Sequence, residues 1–220
     1  MENKREIRDL PAELRAEQDE ERGAVITGYP IVFEQETDLG FCREVIDAGA
    51  MGDGSVLRDV ALLANHDFGM IPLARSRRNN DSSTMKLGID QKGVPMRATL
   101  DVENNPKAKE AYSAVNRGDI TGMSFAFIVK EDRWTDLDTE KPLRRIMSFA
   151  QIFEVSLVTN PAYEGTSVQA ASEGDTLESV RASLESARKQ QAEDRAREAE
   201  KERRTAALER LENLQKEART

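Results

Sequence analysis

The chain has 220 residues, of which 33% are charged and only 5% aromatic, and its formal net charge is −9. This balance argues against nonspecific binding to nucleic acid or to an anionic membrane, because both need clustered Lys and Arg. The single cysteine, Cys42, excludes an internal disulfide framework and fits a reducing cytoplasm. We therefore expect neither nucleic acid nor membrane among its partners.

The charges concentrate at the two ends, which divides the chain into three predicted parts. Residues 1–24 form a polar N-terminal segment, in which Pro11 is expected to begin a short helical turn over Ala12–Gln18. Residues 25–170 have the apolar content and the size of one ordinary domain. Residues 171–220 form a charged tail. No apolar run approaches the roughly 20 residues of a membrane span, and the N-terminus lacks the apolar core of a secretory signal, so we expect a protein that stays in the cell that makes it.

The middle of the chain is predicted to be α+β. The run Val25–Phe33 is β-rich but interrupted at Gly28 and Pro30, which favours an edge strand or a bulge over a central strand. One helix is expected to begin at the capping Asn105 and to stop at Gly118. Without regular βαβ alternation, the pattern does not indicate a parallel sheet. The further predicted strands are Val56–Leu63, Met85–Ile89, Pro95–Val102, Gly122–Val129 and Phe149–Val158.

The tail is predicted to be a solvated helix. About half of its residues are charged, with both signs interleaved, and pairs such as Glu185 and Lys189 have the spacing of ion pairs along a helix. A coiled coil would need a sustained apolar heptad, which the tail lacks.

His66 is the only histidine in the chain. A lone histidine is commonly a structural or surface residue. With one His and one Cys, a zinc site is not expected, and we predict no metal and no cofactor. If the protein is a hydrolase with a general base that works at neutral pH, His66 is the candidate. It follows the apolar run Val60–Leu63, where the end of a strand would present it at a rim.

Ser124 is the candidate nucleophile. It lies in a predicted strand in which Met123 and Phe125 face one way, whereas Ser124 and Ala126 face the other. Small side chains on that second face would leave room for an extended peptide. The alternative is a serine that is merely tolerated on a half-buried strand.

Glu154 is the candidate third member of the site. It lies in a largely apolar strand, between Ile152 and Ser156 on the same face. A carboxylate is expensive to bury unless it is paired, and a paired one can orient a histidine. The alternative is a glutamate at a sheet edge that faces water.

Taken in chain order, these segments resemble one family. His66 follows a strand, Ser124 lies in Gly-Met-Ser-Phe, Glu154 lies in Phe-Glu-Val-Ser, and Asn160-Pro161-Ala162-Tyr163 comes next. The chain resembles the prohead proteases of tailed phages of the HK97 type, which look related to the herpesvirus assemblins. The resemblance covers most of the chain up to the tail.

The resemblance implies a small assemblin-like β-barrel flanked by helices, with the charged tail outside it. It also implies that Ser124 attacks the scissile carbonyl, that His66 is its base, and that Glu154 holds the imidazole where assemblins use a second histidine. Asp67 is the main competitor of Glu154 for that role.

The implied substrates are the scaffolding region of the major capsid protein and the protease itself, cut inside the procapsid in the host cytoplasm. A homo-oligomer is a further expectation, since assemblins act as dimers. Two alternatives stay open: a noncatalytic scaffold protein with the same core fold, and a cysteine hydrolase in which Cys42 is the nucleophile.

Overall fold

The computed structural model of the protein describes residues 4–159 and 173–217. In this part of the chain there are two α-helices, α1 (Pro106–Arg117) and α2 (Glu173–Glu217). The strands, in chain order, are β1 (Glu6–Pro11), β2 (Arg15–Asp19), β3 (Gly23–Val32), β4 (Thr37–Asp38), β5 (Arg43–Ile46), β6 (Ala61–Ala64), β7 (Ala74–Arg75), β8 (Met85–Leu87), β9 (Gly93–Thr99), β10 (Gly122–Thr135) and β11 (Leu143–Val158).

The larger sheet is built around the long antiparallel pair β10 and β11. β1 lies along the outer side of β10, so the sheet begins in the order β1-β10-β11. The other side of β11 pairs in parallel with β5 near its start, at Leu143, and with β6 near its end, from Glu154 to Leu157. β11 therefore joins two distant parts of the chain to one sheet.

The smaller sheet has the order β2-β3-β9-β8. β3 is a central strand in it, so the prediction of an edge strand here is wrong. The predicted bulge is confirmed, because the pairing of β3 with β9 shifts register between Gly28 and Ile31. A bulge lets a central strand accommodate Pro30, which has no N–H to donate.

α1 confirms the predicted helix. The side chain of Asn105 accepts hydrogen bonds from the N–H groups of Lys107 and Ala108, and Gly118 ends the helix with a φ of 76°. Ala108, Ala111 and Val115 form its buried face. Capping and helical spacing are local signals, which is why the sequence alone predicts this element well.

The mixed α+β class is confirmed, whereas the predicted β-barrel is not. Closing a barrel requires the first and last strands of a sheet to pair. In the described residues the larger sheet ends at β1, at β4 and, beyond β6, at β7, and the smaller sheet ends at β2 and β8. The described strands thus form two open sheets.

The predicted helical turn over Ala12–Gln18 is also wrong. Arg15–Asp19 is a strand that pairs antiparallel with β3. The β-rich run that follows it in sequence supplies a partner strand, and this pairing overrides the weak local preference for a helix.

The chain divides into two compact units, Met1–Ser179 and Val180–Thr220. The predicted boundary between residues 170 and 171 lies outside the described residues. α2 carries the charges of the tail, and its Leu208 and Leu211 are exposed. In the ranges that the structure describes, no helix is long and apolar enough to cross a membrane.

Candidate active site

His66 lies in a tight turn directly after β6. Asn65 and His66 both have left-handed backbone conformations, with φ of 48° and 56°, which non-glycine residues seldom adopt. The turn is fixed to the end of β11. The N–H of Asn65 donates to the carbonyl oxygen of Leu157 at 2.9 Å, and the N–H of His66 donates to Oγ of Ser156 at 3.1 Å.

Glu154 is bonded to the ring of His66. Its Oε1 atom lies 2.7 Å from Nδ1 of the histidine, and its side chain is 1% exposed. The second carboxylate oxygen, Oε2, accepts a hydrogen bond from the hydroxyl of Ser156 at 2.5 Å. These two bonds offset the cost of burying the carboxylate.

Ser124 lies on β10 and is fully buried. It is directly opposite Asp9 of β1 on one side and Ser156 of β11 on the other. Residues directly opposite each other in antiparallel strands share a face, so Ser124 shares its face with Ser156, the residue that bonds both Glu154 and the backbone of His66. Its hydroxyl, however, donates to the carbonyl oxygen of Arg8 at 2.9 Å.

The other ring nitrogen of His66, Nε2, faces Asp9. Oδ1 of Asp9 lies 3.5 Å from Nε2. Both atoms are buried, and neither has a hydrogen-bond partner among the described residues. The structure therefore bonds His66 to Glu154 and leaves Nε2, the atom that would accept a proton from a nucleophile, beside a carboxylate of the N-terminal strand.

The two carboxylates perturb the titration of His66. Burial would lower its pKa, but the close contacts with the carboxylates of Asp9 and Glu154 and their negative charges outweigh burial and raise the pKa to about 9. At neutral pH the ring is then an imidazolium ion, which cannot act as a general base.

Asp9 and Ser156 are two site residues that the sequence analysis missed. Nothing in the local pattern around Asp9 marks it, because it reaches the site through pairing with a strand far along the chain. Ser156 does have a signal, since period-two alternation puts it on the same face as Glu154.

The remaining predicted candidates lie elsewhere. The carboxylate of Asp67 accepts from the N–H of Gly69 at 3.0 Å in an exposed turn. Cys42 is buried and precedes β5, whose partner is the start of β11, whereas Glu154 lies towards the end of β11. The segment Asn160–Tyr163 lies outside the described residues. The roles assigned to His66, Ser124 and Glu154 remain predictions.

A buried cluster of charges lies on the other face of β1. Arg8 contacts Glu6 and Glu44, each at 2.6 Å. Arg144 contacts Glu6 at 2.7 Å, Glu44 at 2.8 Å and Asp132 at 2.7 Å. Burial alone would raise the pKa of Glu44, but the two guanidinium groups lower it below its usual value. β1 is thus fastened to the larger sheet by ion pairs as well as by backbone hydrogen bonds.

Comparison with known proteins finds one family and two individual proteins to which this chain is similar. A family model described as caudovirus prohead serine protease matches residues 11–180. The prohead protease of Enterobacteria phage HK97 is 28% identical over 159 residues, which are 71% of this chain and 64% of that protein. The chain therefore spans slightly less than two thirds of this relative. The solved structure of the bacteriophage T4 capsid assembly protease is similar over 70% of this chain and 99% of that one, with 14% identity and a TM-score of 0.37.

Proposed function

Because the chain belongs to the family of caudovirus prohead serine proteases, we propose that it is a serine endopeptidase that acts in the maturation of a phage procapsid. Its substrates are the scaffolding region of the major capsid protein and the protease itself. It acts inside the procapsid, in the host cytoplasm, and associates with further copies of itself there.

In this proposal each of the three predicted residues has its own role in acyl transfer. Once Asp9 no longer lies beside Nε2, the ring of His66 can become neutral; Ser124 then attacks the scissile carbonyl carbon while Nε2 of His66 takes the hydroxyl proton. His66 then gives that proton to the leaving amine. Glu154 holds Nδ1–H and stabilises the imidazolium ion that forms during the attack. Ser156 in turn holds the second carboxylate oxygen, so it is a positioning residue.

The observation that carries the proposal is the buried bond between His66 and Glu154. A carboxylate that is 1% exposed and fixes one nitrogen of the chain's only histidine at 2.7 Å orients the other nitrogen. A purely structural histidine would be expected to have both nitrogens satisfied, whereas Nε2 has no hydrogen-bond partner among the described residues. Ser124 lies on the same sheet face, on the neighbouring strand.

One experiment distinguishes the protease from the alternative, a noncatalytic scaffold protein that leaves the capsid protein uncut. The full-length chain is produced together with the phage's major capsid protein, and the intact masses of both proteins are measured. We expect fragments with the wild type and none with Ser124→Ala. The control is Ser113→Ala, on the side of α1 away from its buried residues, which should cut normally. Unchanged masses with the wild type in assembled procapsids would favour a scaffold protein.

A further inference from the structure

The N-terminal strand occupies the edge of β10 beside Ser124. β1 is the terminal strand of the larger sheet, and its pairing sets Asp9 opposite Ser124 and Arg8 opposite Phe125. Backbone pairing of this kind depends little on side chains, so an edge that holds one extended segment can hold another. Without β1, the Ser124 strand would itself be the edge of the sheet.

Atoms of β1 also lie against the two groups that would react with a substrate, the Ser124 hydroxyl and Nε2 of His66. The carbonyl oxygen of Arg8 accepts the hydrogen bond from the Ser124 hydroxyl at 2.9 Å. The carboxylate of Asp9 lies 3.5 Å from Nε2 of His66. A peptide carbonyl beside the serine, followed by a residue beside the histidine, is the arrangement that a substrate would adopt about its scissile bond.

A third contact lies three residues before Arg8. The guanidinium group of Arg5 lies over two aromatic rings, 4.5 Å from the ring centre of Phe68 and 4.6 Å from that of Phe153. We call this pair of rings the aromatic clamp. Phe68 follows His66 by two residues and Phe153 directly precedes Glu154. The clamp thus belongs to the segments that hold the His66–Glu154 pair, whereas its occupant comes from the N-terminal segment.

The buried ion cluster allows β1 to leave without stranding a charge. β1 contributes one acid and one base, Glu6 and Arg8, to the cluster. After their departure Arg144 would keep its contacts with Glu44 and Asp132, at 2.8 Å and 2.7 Å. A cluster that remained with an unpaired cation would oppose displacement of β1 far more strongly.

We propose that β1 lies in the place of the substrate: the edge of β10 beside Ser124 binds an extended peptide, and the aromatic clamp is the subsite for a basic side chain. That side chain belongs to the residue three positions before the one whose carbonyl group meets Ser124. β1 keeps the enzyme inactive until a substrate strand displaces it. This inference rests on the proposed function and adds a substrate preference to it.

The test measures peptide binding to full-length chains that all carry Ser124→Ala, so that nothing is cut. The probe is a fluorescent peptide that copies residues 4–11, together with the same peptide with Ala in place of its first arginine. The chains are the parent and an Arg5→Ala chain, whose clamp is empty. Binding is followed by fluorescence anisotropy.

We expect the arginine peptide to bind the Arg5→Ala chain more tightly than the parent, and about fivefold more tightly than the alanine peptide, as for one cation–π contact at a half-exposed site. Adding Phe68→Ala or Phe68→Leu should abolish the difference between the peptides. The leucine variant keeps apolar volume and guards against misfolding. Arg133→Ala, in place of Arg5→Ala, should leave binding as in the parent.

Equal binding of the two peptides to the Arg5→Ala chain, or no binding of either, would overturn the inference. A preference that survives both Phe68 variants would do the same. The proposed function is judged separately, by cleavage of the capsid protein. Cleavage of the capsid protein without the peptide preference would support the proposed protease function and contradict the proposed subsite. The peptide preference without cleavage would contradict the protease function.

Discussion

Nδ1 of His66 and Oε1 of Glu154 lie 2.7 Å apart, in a pair whose carboxylate is 1% exposed. Since this bond fixes the orientation of the ring, the proposed catalysis depends on it directly. Its loss should affect catalysis much more than folding, provided that the substituted side chain still fills the same space.

We predict that Glu154→Gln lowers kcat for capsid-protein cleavage by about 10²- to 10⁴-fold, because an amide holds the ring but does not stabilise the imidazolium ion. Steady-state kinetics on the purified protein checks this. Asp67→Asn is the matched control, since Asp67 adjoins His66 in sequence but lies in an exposed turn. An equal loss in both variants would contradict the role of Glu154.

The titration of His66 gives a second prediction. As the only histidine in the chain, it supplies a single set of imidazole NMR signals. Its midpoint should lie near pH 9, the raised pKa that Asp9 and Glu154 impose against the effect of burial. Asp9→Asn should shift the midpoint down, because one of the two negative charges is removed. A midpoint near 6.5 in the unmodified protein would mean that the two carboxylates do not flank the ring.

The same shift makes stability depend on pH. The folded pKa of about 9 lies above the ordinary value of 6.5, so the folded state binds the proton more tightly than the unfolded state. This contribution is complete below about pH 6.5 and is lost as the pH rises through about 9. Urea unfolding at pH 6 and pH 9.5 should show a smaller loss of stability for Asp9→Asn than for the wild type. An equal loss in both proteins would contradict the linkage.

The buried ion cluster predicts a large difference between two adjacent arginines. Arg144→Met leaves the buried carboxylates of Glu6 and Glu44 to share Arg8, and we expect it to destabilise the fold by about 3–5 kcal/mol. Arg145→Met removes partly exposed ion pairs with Glu34 and Asp47 and should cost about 0–1 kcal/mol. Urea unfolding measures both. Similar values for the two would show that Arg144 is not buried among carboxylates.

Cys42 should be inert in the folded protein. Its side chain is fully buried, so iodoacetamide should leave the mass and the activity unchanged under native conditions and modify the thiol only in urea. Rapid alkylation of the native protein with loss of activity would instead support the alternative that Cys42 is the nucleophile of a cysteine hydrolase.

The sequence predicts those parts of the site that depend on residue type and on strand alternation. His66 is the only candidate base, and alternation puts Glu154 and Ser156 on one face. It does not predict Asp9 or the Arg8 carbonyl, because the pairing of β1 with β10 joins residues 116 positions apart, as in the bond between Ser124 and Arg8.

Pairing between strands also accounts for the errors in the fold. The segment around Ala16 has no local strand signal and becomes a strand through its pairing with Ile26. A single charged residue in the sequence indicates an exposed position, but three charged side chains here are buried: Glu6, Glu44 and Arg144. Each is paired with an opposite charge on another strand. In contrast, the Asn105 cap of α1 is local and is predicted correctly.

Covalent labelling of the nucleophile tests directly whether Ser124 carries out the proposed cleavage. The full-length protein, in a preparation that cuts the capsid protein, is treated with a fluorophosphonate, and the modified residue is mapped by mass spectrometry. If Ser124 is the nucleophile and His66 its base, one adduct forms on Ser124, disappears in Ser124→Ala and is strongly reduced in His66→Ala. An adduct on Ser156 instead, or no serine adduct in a preparation that still cuts, would contradict it.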